Sequence, residues 1–371
     1  MRWWIYVRGV CHDAHVGRLY QLASDAGAER LAQQWYESID LTSQVGTRHH
    51  IVPRAILRRF ANRSNQIRLR DRITSKVRIV SVGDVAVKDF YTFIDLNMEP
   101  NGSMEVWLSE VEAEFARVIR PYLSTSAFGG ARQPQRVARF ALDTFVAVQA
   151  LRGMRTRRAM ELVADYGMKL LNQDKISPQE IQELEIVPHQ NDHIQFMHRA
   201  SEALADHLSH RPVSVAWLGA PLLIIGDEPV VLIPRDDAPK GDLRELIHLK
   251  GEYVPPERLV QISNGLGFHD ADEVILPLSP HQALIYGPMG ARSDSMVWNP
   301  AGSEAVRIAR EINLLQARNA FGWVATHPDG PHLAQIAWPK PAHAVTIYDD
   351  QSLPAMAVNA RPHARPRRFL K

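Results

Sequence analysis

Apolar positions along the chain fall into two textures. At helical spacing they mark Glu105–Tyr122, where Val106, Val111, Phe115, Val118 and Ile119 share one side, and a long stretch from about Gln135 to Leu171 that weakens near Gly153. The same period predicts helices over Ala23–Ile39, Asn191–Leu208 and Ser303–Phe321. A shorter one follows Pro53, where Ile56, Leu57 and Phe60 recur at helical spacing behind a proline suited to a helix N-terminus. Ser177-Pro178-Gln179-Glu180 reads as another helix start. Short β-branched or alternating runs bounded by turn residues predict strands at Gln66–Leu69, Lys76–Val80 and Phe90–Ile94. A second group follows Pro212: Val213–Leu218, Leu222–Ile225, Val230–Ile233, Val274–Leu276, Ala283–Tyr286 and Trp323–Thr326.

Helices therefore dominate the middle and strands the C-terminal third. That order predicts an α+β fold, with a helical middle packed on a mainly antiparallel C-terminal sheet and a small N-terminal β region, not an alternating βαβ chain. The expected division is a lead-in over 1–47, one α+β domain over 48–338 and a poorly ordered basic tail over 339–371, rich in Pro, Ala and Arg. No run approaches the roughly 20 apolar residues that span a bilayer, and the apolar start Met1–Arg8 lacks a signal-peptide cleavage site, so a cytoplasmic location is expected. A single cysteine, Cys11, excludes an internal disulfide and a cysteine-based zinc site.

A formal net charge of +2 hides a strong segregation. Between Arg48 and Val80 ten basic residues face one acid, Asp71; between Arg117 and Arg158 nine arginines face Asp143 alone. Such segments create a local positive field, and the guanidinium fork suits phosphate. Nucleic acid or a nucleotide is the partner this suggests. The competing reading is an arginine-rich composition spread over solvated faces.

Candidate chemistry gathers at a few places. In His49-His50-Ile51-Val52-Pro53 the two imidazoles point to opposite sides of an extended segment, and the proline stiffens the turn after it. His50 is then either a base or metal ligand, or a residue that bonds backbone and orders the turn. The string also begins like an HNH nuclease, but the chain enters a helix at once and no histidine follows until His189. Gln149 and Arg152 share one helical face beside Phe145 and Val148; a buried Arg152 needs an anion, which Asp227, Glu112 or a ligand phosphate could supply. Asp227 follows an apolar run and precedes Pro229, a position that suits a site carboxylate or an ordinary turn residue. His189 and His193 lie four apart and could bind a metal from one helix, but without a third placed ligand they read as a solvated helix face. No Gly-x-Ser-x-Gly elbow and no phosphate-binding glycine loop is present.

Taken together, His49-His50-Ile51-Val52-Pro53 with Leu57 and Phe60, then Phe90-Tyr91-Thr92, Glu112, Gln149 and Arg152, Gly226-Asp227-Glu228-Pro229-Val230, Pro277-Leu278-Ser279-Pro280 and Asn313 resemble, in order, the motifs of the DUF 4238 family. The resemblance covers His49 to Thr326. It departs at Gly153-Met154, where the family commonly has Thr-Pro, and at Glu228, where small or amide residues are frequent. Membership implies a bacterial accessory protein, and the family has been associated with anti-phage defence.

The resulting expectation is an effector that engages nucleic acid or phosphate esters, a candidate metal-dependent nuclease or phosphodiesterase. His50 would act as base or ligand, Asp227 as a metal-binding or orienting carboxylate and Arg152 as phosphate clamp. His49, Tyr91, Glu112, Gln149 and Asn313 would line the ligand site, with a divalent cation as candidate cofactor. The alternative is a non-enzymatic binder or sensor in which the same residues form a structural network.

Overall fold

The computed structural model describes residues 48–85, 87–88, 92–94, 100–124, 131–171, 190–235, 260–263, 267–293, 295–336, 338–339 and 346–349. Tyr91, His189, Cys11, the helix expected over Ala23–Ile39, the helix start at Ser177 and most of the tail lie outside these residues.

The first described strand, β1 (Arg48–His49), leads through Val52-Pro53 into a single-turn helix, α1 (Arg54–Leu57). Strands β2 (Gln66–Asp71), β3 (Val77–Ser81), β4 (Val87–Lys88), β5 (Phe93–Ile94) and β6 (Pro100–Asn101) follow. Three long helices come next: α2 (Ser103–Ile119), α3 (Arg136–Leu151) and α4 (Met154–Leu171). Pro121 turns the end of α2 into a 3₁₀ turn over Arg120–Leu123, since proline has no amide hydrogen for the helical ladder. The break expected near Gly153 is the joint between α3 and α4.

After α5 (Gln190–Ser209) come β7 (Val213–Trp217), β8 (Ile225–Gly226), β9 (Val231–Pro234), β10 (Val260–Ser263), β11 (Ala271–Ser279), β12 (Gln282–Tyr286) and β13 (Val297–Trp298). Helix α6 (Gly302–Asn319), β14 (Trp323–Thr326) and β15 (Thr346–Asp349) complete the order.

The fold is mixed α+β. A five-stranded sheet runs β13-β7-β12-β11-β9, antiparallel except where β13 lies parallel to β7. A second, antiparallel sheet runs β3-β2-β14-β8, so the N-terminal hairpin is completed by strands from the C-terminal third. β15 pairs with β10, which places an ordered strand inside the segment expected to be a loose tail. The run Leu222–Ile225 is not a full strand; only Ile225 joins one, because side chains of α6 take up the backbone groups before it.

One cluster of buried apolar side chains runs from Ile51 to Ala325, through α2, α3, α5 and the inner faces of β11 and β12. Phe115 and Phe145 stack at 3.7 Å between α2 and α3. The helices are tied to the larger sheet by a buried polar link. Arg139 Nε donates to both oxygens of Asp143, at 2.8 and 2.9 Å, and Tyr286 of β12 donates to Asp143 Oδ1 at 2.8 Å. Burial pushes the Asp143 carboxyl up to about 6, against the pull of Arg139 and Tyr286.

Candidate functional site

The His-Val-Pro segment sits where β1, α2 and the end of α3 meet. Strand β1 pairs with β4, His49 opposite Val87, and Ile51 and Val52 enter the core. The two histidines diverge as alternation requires. His49 is buried, and its Nε2 faces the Glu105 carboxylate in the first turn of α2. His50 is half-buried, with Nε2 at 3.2 Å from the carbonyl of Val82. A carbonyl only accepts, so Nε2 carries the hydrogen and Nδ1 keeps its lone pair. Burial lowers the His50 pKa; the Val82 carbonyl and Glu112 oppose this, while Arg54 and Arg152 add to it. A neutral imidazole with an available acceptor nitrogen results.

Helix α3 holds this segment from behind. Gln149, buried, donates from Nε2 to the Ile51 carbonyl at 2.9 Å. Arg152, the C-cap of α3, donates to the His50 carbonyl through Nη2 and to Glu112 Oε1 at 2.7 Å through Nη1. Glu112 keeps a quarter of its side-chain surface open. His50, Glu112, Gln149 and Arg152 are therefore brought together, and three of the four bond to one another or to the backbone of the motif.

Asp227 and Asn313 lie at a different corner, where β8, α6 and β14 meet. Asp227 is buried. Its Oδ1 accepts the amide of Phe321 at 2.7 Å and its Oδ2 the amide of Gly322 at 2.5 Å, which fixes the turn between α6 and β14. A Cβ on residue 322 would lie 3.0 Å from Oδ2, a close approach that favours glycine there. Burial raises the Asp227 pKa to about 6, and the surrounding backbone amides pull it back. Next to it, Glu228 is buried as well and turns the other way. Its Oε1 accepts the amide of Arg155 at 2.7 Å in the first turn of α4. Burial and the neighbouring Asp227 raise Glu228 toward about 8, against the pull of the α4 amides and Arg155. Asp227, with two amide donors on its two oxygens, is the member of the pair that holds the negative charge.

The two departures from the family pattern meet here. A Cβ on residue 153 would overlap the Glu228 carboxylate. Glycine makes room for the longer acid, and the acid accepts an amide in the first turn of α4.

Asn313 belongs to a ladder that sequence reasoning missed. Its Oδ1 accepts the amide of Ile224 at 3.0 Å and its Nδ2 donates to Leu222 O at 2.8 Å. One turn on, Gln316 accepts from Gly226 N at 2.7 Å and donates to Pro229 O at 2.6 Å. A further turn on, Asn319 donates to the carbonyls of Glu228 and Val230 at 3.1 and 3.2 Å, and accepts from the Arg155 side chain. The signal was present as three amide side chains three apart on one helix.

Several arginines of the basic segments also face the protein. Arg70 donates to the carbonyls of Leu333 and Ile336, and Arg72 to those of Ala317, Ala320 and Pro339. Both guanidinium groups lie against the Trp338 ring, at 4.9 and 4.8 Å. Arg211 is fully enclosed among four backbone carbonyls. In contrast, Arg54, Arg58, Arg59 and Arg63 are exposed on and after α1. His193 is buried, its Nε2 at 3.2 Å from Leu151 O, so the solvated helix face expected for it is not what it occupies. Among the described residues no group of three or more His, Cys, Asp or Glu side chains is placed to hold a metal ion. No helix there is long and apolar enough to cross a membrane.

Against known proteins, a family model described as a protein of unknown function (DUF4238) matches residues 48–330. Neither the curated proteins nor the solved structures contain a match.

Proposed function

The chain belongs to the DUF4238 family, and from its geometry we propose that it is a nucleotide- or nucleic-acid-binding protein in which Gln149, Arg152, Asp227 and Asn313 are the framework and His50 is the ligand contact. One observation carries this reading. The polar atoms that a phosphodiesterase would need on Arg152 and Asp227 are engaged inside the protein: both terminal nitrogens of Arg152 on Glu112 and the His50 carbonyl, both oxygens of Asp227 on the Phe321 and Gly322 amides. His50 differs, with only its Nε2 tied back. Its Nδ1 and the open part of Glu112 present acceptors, which match the amino and ring N–H donors of a base edge. The exposed Arg54, Arg58, Arg59 and Arg63 stand on the same stretch of chain and suit the phosphates. The continuous core from Ile51 to Ala325 supports treating 48–338 as one domain.

The test is a titration of labelled single-stranded DNA, RNA and free nucleotides into the purified chain, with and without Mg²⁺, Mn²⁺ or Zn²⁺, followed for binding and for cleavage. The proposal expects binding that His50→Ala removes while thermal stability stays near wild type. Metal-stimulated cleavage abolished by Asp227→Asn in a fully stable variant would favour the second reading, a hydrolase. That reading draws on the two adjacent buried carboxyls, Asp227 and Glu228, whose raised pKa values are the kind found in catalytic sites. In it the protein is a phosphoester-acting effector, and a role in defence against phage would follow from the cleavage.

A further inference from the structure

Strand β3 forms one edge of the four-stranded sheet. Its hydrogen bonds fix which backbone groups it leaves open. Asp71 N donates to Lys76 O and Val82 N to Asn65 O, both at 3.0 Å. In the β2–β3 register, Leu69 opposite Arg78 and Ile67 opposite Val80 are then also hydrogen-bonded pairs, because these alternate along an antiparallel ladder. Lys76, Arg78 and Val80 turn their amides and carbonyls toward β2. Val77, Ile79 and Ser81 turn theirs outward.

The side chains on this edge are not those that protect one. Ile79 is 54% exposed, Val77 40% and Ile73, in the preceding turn, 51%. Val77 and Ile79 lie opposite Arg70 and Arg68 and share their face of the sheet. Farther in, that face is covered by Trp338 and its neighbours on Arg70 and Arg72. The charged residues on the strand and at its start are basic: Lys76 and Arg78 are exposed, and Arg68, opposite Ile79, is half-buried. Two acids lie close by in the chain. Asp71 is engaged in its own turn, where Oδ1 accepts the amides of Ile73 and Thr74 and the Thr74 hydroxyl. Asp84 is exposed in the 3₁₀ turn that follows β3, beyond the Val77–Ser81 edge.

We propose that the β3 edge is a docking site for an extended acidic peptide segment of a partner protein. The segment adds as a strand beside Val77–Ser81, with its main chain bonded to Val77, Ile79 and Ser81. Alternate apolar side chains cover Val77 and Ile79, and its acids, on the other face, meet Lys76 and Arg78. Charge decides between this occupant and a second copy of the chain. An antiparallel β3–β3 pair centred on Ile79 would set two copies of Arg78 diagonally across from one another, and like charges there are unfavourable. This inference does not depend on the His50 reading.

The experiment is a fluorescence-anisotropy titration of the full chain with two labelled peptides, EVEVEV and KVKVKV. EVEVEV should bind saturably and KVKVKV should not. Ile79→Pro removes an outward amide without touching the β2 ladder, a place where strands accept proline; it should weaken EVEVEV by about tenfold. Arg78→Glu should weaken it as well. If Ile79→Pro does not fold, EVEVEV carrying N-methyl groups on alternate amides gives the same test from the peptide side, and one of its two registers should lose binding. Equal binding of both peptides, no saturation at millimolar concentration, or unchanged affinity with Ile79→Pro or with both N-methyl registers overturns the proposal. So does a concentration-dependent dimer that Ile79→Pro abolishes, which would assign the edge to a second copy.

Discussion

At Gly153 the first methyl group of any other side chain meets the Glu228 carboxylate. Gly153→Ala should therefore cost about 1–3 kcal/mol in urea unfolding, because Glu228 must leave the α4 amide it accepts. Glu228→Ser shortens the acid to a cap of ordinary size. In the double variant the alanine should be nearly free of cost, and a cycle showing plain additivity would remove the link between the two positions. Glu228 also makes a prediction about pH. Its folded pKa is raised from 4.5 to about 8, so the folded state holds the proton more tightly than the unfolded one. That contribution is fully present below pH 4.5 and is lost as pH rises through about 8. Glu228→Gln cannot lose it. The stability of the variant relative to wild type should rise between pH 5 and pH 8.5; a difference that stays constant over that range contradicts the raised carboxyl. Neither residue was singled out by chemistry in the sequence. Glu228 stood out only as a departure from the family pattern, Gly153 as that and as a break in a helix, and nothing in a linear chain shows that 153 and 228 touch.

The ladder on α6 sets the expectation at the scale of elements. Gln316→Leu leaves the Gly226 amide and the Pro229 carbonyl buried without their partner, at about 1–3 kcal/mol for each group. Leu314, 56% exposed on the same helix, should tolerate alanine within about 0.5 kcal/mol. Equal effects of the two substitutions would show that the ladder does not hold the 222–230 segment. The helices themselves were legible: α2, α3, α5 and α6 follow an apolar period of 3.6, and Gly153 marked the α3–α4 joint. Leu222–Ile225 was misread as a strand because its composition is that of one. Its backbone partners are side chains about 90 residues later, as the Ile224–Asn313 bond shows. For the same reason the tie between Gln149 and Ile51, and that between Arg152 and His50, could not be placed from spacing. The family motifs and residue type grouped these side chains, and grouped Asp227 and Asn313 with them, which bond at another corner.

For the whole molecule the charge asymmetry is the broadest feature, and the structure divides it. Arg70, Arg72, Arg139, Arg152 and Arg211 bond to carbonyls or carboxylates within the protein, so composition alone overstated the cationic surface. Arg54, Arg58, Arg59 and Arg63 stay outside. If about three of them meet phosphates of a single strand, the logarithm of the binding constant should fall with the logarithm of salt at a slope of about −2. Replacing Arg54 and Arg58 together by alanine should flatten that slope, while an unchanged slope would place the phosphates elsewhere. The framework reading and the ligand reading separate most directly in one paired measurement, oligonucleotide binding and thermal unfolding of His50→Ala beside Arg152→Met. Binding lost with an unfolding midpoint within about 2 °C of wild type for His50→Ala, and a midpoint lowered by roughly 5 °C or more for Arg152→Met, is the predicted result. Full binding by His50→Ala, or a fully stable Arg152→Met that has lost only its ligand, would contradict the account.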